Sequence, residues 1–144
     1  MGIFIDESDV VQIAVHYYEE NGSVLVFDEP TDKTTTIKVV FRRPNFAISQ
    51  RLMAASTIGD QSGNQTVNMM MLQNNMMYFL AKSWDVKEPD VTEPEHKAAD
   101  GTVIPAKVVP GNPVELNAEN LGKLRVEIAR GLLNKLVPAI GQFI

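Results

Sequence analysis

The sequence predicts an α+β fold: a small N-terminal antiparallel β-meander followed by a helical part with two long packed helices. Three observations predict it. Residues 10–41 are rich in Val, Ile and Thr and are punctuated by turn signals. Two later stretches, Thr66–Asp85 and Ala118–Leu136, space their apolar residues three and four apart, as one face of a helix requires. The stretch between them is broken by prolines and fits neither period. The 144 residues are the size of one domain, and 44% of them are hydrophobic, enough to build a core. Within that single domain, 1–43 reads as the meander, 45–85 as helices, 86–113 as a Pro-rich excursion and 117–144 as a C-terminal helix and tail.

Residues 9–20 fit two patterns. Val11, Ile13, Val15 and Tyr17 alternate like a half-buried strand, whereas Val10, Ile13, Ala14, Tyr17 and Tyr18 fit a helix face. Four β-branched residues in the six from Val10 to Val15 favour the strand. Asn21-Gly22 is a type I′ hairpin signal, because that turn needs positive φ at both central residues. Val24–Phe27 and Lys33–Phe41 then read as strands, separated by a turn with Pro30 at its second position. Three strands need a cover for their apolar face. Pro44 ends the sheet and Asn45 caps a short helix from Phe46 to Ser56. Residues 57–65 carry two glycines and several short polar residues and read as a loop.

The Met-rich helix 66–85 is the centre of the pattern. Met69, Leu72, Met76, Phe79 and Leu80 form one face; Met70, Met77 and Trp84 recur every seven residues beside it; Asn68, Asn75 and Lys82 make a polar seam. Five of the seven methionines lie here, and flexible thioethers suit surfaces that repack against varied partners. From Val86 to Pro113 the chain holds five of the eight prolines and reads as an irregular excursion with a short strand near 102–104 or 107–109. Asn117 caps the last helix. Its buried stripe is Leu121, Leu124, Ile128, Leu132 and Leu136, and Pro138 stops or kinks it. Gly122 and Gly131, unfavourable inside a helix, suggest close approach of another backbone.

Composition excludes several functions. A formal charge of −5 disfavours a general nucleic-acid or anionic-membrane binder, and the basic residues Lys38, Arg42 and Arg43 read as a solvated strand end. There is no cysteine, hence no disulfide framework, thiolate metal site or cysteine nucleophile. The acidic start MGIFIDESD lacks the basic region of a signal peptide, Gly2 lacks a myristoylation context, and no apolar run is long enough to span a bilayer. His16 and His96 form no metal group, no Ser sits in a nucleophile elbow, and the acids from Asp85 to Glu95 lack the spacing of a calcium loop. The expectation is a protein without enzymatic activity and without a cofactor or metal, working through apolar surface. Met69, Met70, Met76, Met77, Trp84, Phe143 and Ile144 are the candidate partner-binding residues, and self-association is expected.

A strand running into FRRPNF (Phe41–Phe46), a short helix, a polar loop, a long helix ending in KSWDV (Lys82–Val86), a Pro-containing insertion and a last helix opened by PVELNAENL (Pro113–Leu121) together resemble the tail assembly chaperones of long-tailed bacteriophages. Small myophage baseplate-hub chaperones are similar. The resemblance spans about residues 37–137. It implies a mostly helical chain with a small N-terminal β part, acting without a cofactor in the host cytoplasm during assembly. It also implies binding to the tape-measure protein, and in some members the tail tube protein. The alternative on a related scaffold is a permanent virion subunit of the tail, baseplate or head–tail connector. There the sheet edge and the Pro-rich arm would engage a neighbour.

Overall fold

A computed structural model describes residues 2–141. The fold is α+β, with an antiparallel N-terminal sheet followed by helices. Two compact units emerge: residues up to Trp84 together with those from Leu116, and Asp85–Glu115.

The first unit is built on β1 (Val10–Glu20), β2 (Ser23–Phe27) and β3 (Thr35–Arg42). Residues 10–20 are a strand, as their β-branched residues favour. Asn21 at φ 53° and Gly22 at φ 80° form the tight turn into β2. The strand order corrects the expected meander. β1 is central, with β2 on one side and β3 on the other, and the fourth strand, β6, pairs with β3. Length explains this: the eleven residues of β1 offer a full edge to eight-residue β3 after five-residue β2 has covered only its second half. Ile13, Val15, Val24, Ile37, Val39 and Phe41 are buried on the helix-covered face.

Asn45 caps α1 (Phe46–Ala55) as expected, its side chain accepting from the Ile48 N–H. Residues 57–65, expected as a loop, belong instead to a small hairpin of β4 (Thr57–Gly59) and β5 (Gln65–Val67). Its turn is organised by Asp60, whose carboxylate accepts from the backbone N–H groups of Ser62 and Asn64.

The expected helix 66–85 is shorter. Asn68 is its N-cap, accepting from the Met71 N–H, and α2 runs only over Met69–Leu80. Ala81–Trp84 turn into β6 and complete the sheet beside β3. The open edge of β3 offers ladder hydrogen bonds that outweigh helix propensity there. Arg42 donates two hydrogen bonds to the Phe79 carbonyl, 2.7 and 3.1 Å, at the end of α2.

The last helix is also divided. Asn117 caps α3 (Ala118–Gly122), and α4 (Val126–Ile140) starts after a break at Arg125, which is held extended with its guanidinium on the Gly22 carbonyl at 2.7 Å. Pro138 does not stop α4; it sits in the last turn, where one carbonyl loses its helical donor. Gly131 is buried where α4 crosses the sheet. A Cβ there would stand 3.3 Å from a Val26 methyl and 3.4 Å from a Val15 methyl, and one at Gly122 3.4 Å from the Tyr78 hydroxyl, so what comes close at both glycines is side chain and not the expected backbone.

The second unit is not irregular. Its strands β7 (Val91–Glu93), β8 (His96–Lys97), β9 (Val103–Ile104) and β10 (Lys107–Val109) are two antiparallel pairs in one unbroken register. Lys87 pairs with Pro113, Thr92 with Val108 and Lys97 with Val103. Hydrogen bonds from Val114 to Val86, Glu88 to Asn112 and Ala98 to Thr102 extend that register from base to tip. The stretch is one long hairpin arm. Pro89, Pro105 and Pro113 fall on non-hydrogen-bonded pairs, where no donor is needed. Pro94 and Pro110 fall on the other set, and there the ladder lapses.

Candidate functional site

The apolar groove beside α2 is the candidate site. Met53 from α1, Val67 from β5, Met69, Leu72 and Met76 from α2 and Val137 from α4 line a cavity of about 270 Å³. Its walls are almost wholly hydrocarbon and thioether, and Gln73 is the polar side chain at its rim. Such a cleft accepts two or three apolar side chains of a partner by removing them from water.

The elements hold the groove from below. α1 and α2 are locked through Ser56, the one buried polar residue among the described residues: its hydroxyl donates to the Leu52 carbonyl at 2.7 Å and accepts from the Asn75 side-chain amide at 3.1 Å. Asn75, expected in a polar seam, therefore serves as an interhelical strut. Leu72, Met76, Leu80, Leu132, Leu136 and Ile140 fill the core beneath.

The candidate partner-binding residues do not share one surface. Met69 is 60% exposed and Met70 73%, so both offer apolar surface, Met69 at the groove. Met76 is 2% and Met77 5% exposed; both belong to the core, and Met77 faces Leu121, Ala129 and Leu133. Met77 thus cannot be a free outer-face residue. Trp84 lies on β6, half-buried and opposite Val39, not on the helix. Phe143 and Ile144 lie outside the described residues. Spacing by seven gives the angle of a side chain, not its depth: Met70 is in the first turn, beyond the packing that covers Met77. Met53, Val67 and Val137 were missed because they reach the groove from three other elements.

Chemistry elsewhere is sparse. Among the described residues no group of three or more His, Asp or Glu side chains is placed to hold a metal. His16 makes a 2.7 Å hydrogen bond to Thr36 on the neighbouring strand. The titrations that move are at the surface: hydrogen bonds from Ser8 hold Asp6 below the usual carboxylate range, those from Thr102 do the same to Asp100, and the hydrogen bond to Glu20 raises Tyr18. None of the three lines the groove. Among the described residues no helix is long and apolar enough to cross a membrane. No known protein family, characterised protein or solved structure matches this chain.

Proposed function

We propose that the protein is a non-catalytic tail assembly chaperone of a bacteriophage. In this reading it holds an apolar segment of the tape-measure protein or tail tube protein in the groove beside α2, in the host cytoplasm, with no cofactor, nucleic acid or membrane involved. The supporting observation is the groove itself, walled by adaptable Met53, Met69 and Met76 side chains on a rigid α1–α2 frame. The test is co-purification with tape-measure and tube proteins. Met69→Lys places a charge at the rim at small cost to the fold and is expected to reduce client recovery at least tenfold. Unchanged recovery of client by a folded Met69→Lys variant would remove the groove from consideration.

The hairpin arm favours a second reading, a permanent virion subunit. From Val86 to Ala98 the arm reaches roughly 40 Å at the rise of a strand, and the residues from Lys87 to Lys97 are exposed throughout. An arm of this kind engages a neighbour in an assembled particle. Mass spectrometry of purified particles separates the two: a chaperone is absent, a subunit is present at fixed copy number.

A further inference from the structure

The two edges of the four-stranded sheet are finished differently. β6 is four residues long, carries Lys82 and meets β3 through a register shift between Val40 and Phe41. Short length, lysine and bulges are devices that block strand addition. β2 has none of the charge or irregularity. Ser23-Val24-Leu25-Val26-Phe27 contains no charged residue and no proline, and its pairing with β1 is regular throughout. Its outer side pairs with no described strand.

The hairpin turn settles which groups that side presents. The turn bond joins Ser23 to Glu20 across Asn21-Gly22, so Ser23, Leu25 and Phe27 direct their main-chain groups toward β1. Val24 and Val26 direct theirs outward. Of the side chains at this rim, Val24 is buried on the helix-covered face, whereas Leu25 at 39% and Val26 at 38% remain partly exposed.

We propose that β2 is a homodimerisation edge, paired antiparallel with β2 of a second copy about a two-fold axis at Leu25. In that register Val24 of each copy exchanges main-chain hydrogen bonds with Val26 of the other, the two residues whose groups point outward. Leu25 faces Leu25 in a non-hydrogen-bonded pair, the closer kind. The charge pattern is what commits the edge to a copy of itself. Residues 21–27 are uncharged, so nothing near the axis opposes its own kind. The acids that follow, Asp28 and Glu29, fall opposite Gly22 and Asn21 of the other copy. Arg125 lies at that turn, half-exposed, donating to the Gly22 carbonyl and already shared between Glu19 and Glu127, so the self-complementarity rests on the uncharged stretch itself. The pairing rests on the sheet alone and is independent of what fills the groove.

The absence of cysteine makes the register directly readable. Leu25→Cys sets two sulfurs across the axis, on Cα atoms about 4.5 Å apart, a separation that a disulfide spans. Mild oxidation of the full chain is expected to give a covalent dimer. Ser23→Cys faces Phe27 of the other copy and is expected to remain single on a non-reducing gel. Leu25→Lys places two ammonium groups face to face and is expected to halve the mass seen by light scattering. A monomeric mass for the wild type at every concentration overturns the proposal. So does equal cross-linking by Ser23→Cys, or a folded Leu25→Lys variant that keeps the dimer mass. Should Leu25→Lys fail to fold, the two cysteine variants decide alone.

Discussion

Met70 and Met77 have the same side chain, are separated by two helical turns and point the same way from the α2 axis. They nevertheless differ from 73% to 5% exposure. Met77→Ser removes a buried side chain and puts a hydroxyl against Leu121 and Leu133, which should cost about 2–5 kcal/mol. Met70→Ser should stay within about 0.5 kcal/mol. Urea denaturation of the two variants measures the contrast. Asn75 is the polar counterpart. Asn75→Ala leaves the buried Ser56 hydroxyl without its donor and should cost about 1–3 kcal/mol, read in the same titration. At the tip of the arm, Asp100 accepts from the Thr102 N–H at 2.9 Å, which lowers its carboxyl titration. A lowered carboxylate stabilises the folded turn above its unfolded pKa and loses that contribution as pH falls through the folded one. The Thr102 amide should therefore stay protected at neutral pH and lose protection only below the ordinary carboxylate range, as NMR hydrogen exchange would show.

At the scale of elements, the N-terminal strands, the Asn21-Gly22 turn and the caps at Asn45 and Asn117 were legible in the sequence because each is decided within a few residues. The ends of α2 were not. Asn68 reads equally well as a helical polar residue or a cap, and is settled by the β4–β5 hairpin that ends beside it, its N–H on the Ser56 carbonyl; Lys82-Ser83-Trp84 has no period of its own and is settled by β3, about forty residues away in the chain. The groove was legible in half. Met69 and Met76 announce themselves, whereas Met53, Val67 and Val137 carry no local mark of being neighbours. The arm was hidden for a different reason. Its prolines argue against a ladder one at a time, and only the pairing of positions shows that three of the five fall where no N–H is used. Gly111 tests that pairing: a Cβ there would lie 1.7 Å from the Glu88 carbonyl oxygen. Gly111→Ala should open the arm at its base, with exchange of the Glu88 amide rising at least tenfold while amides of β1 are unchanged. Equal protection in the variant would show that the register is wrong.

For the molecule as a whole, the buried hydrophobic core draws on the sheet, α1, α2, α3 and α4 and on no residue between Asp85 and Glu115. The arm has little of its own to bury, and a lone two-stranded hairpin is marginal in water. Replacing residues 88–112 by a short glycine-containing turn should shift the melting temperature by no more than a few degrees, because the apolar area removed from water is nearly untouched. Calorimetry of the shortened chain checks this.

The base of the arm closes on itself, with the Val114 N–H on the Val86 carbonyl at 2.9 Å. The chain therefore leaves for the arm and comes back at one doorway, and nothing downstream depends on how far it travelled in between. Such a place tolerates grafting. A foreign peptide or a small folded label spliced between Asp100 and Gly101, at the exposed far end, lengthens the excursion without re-routing any strand.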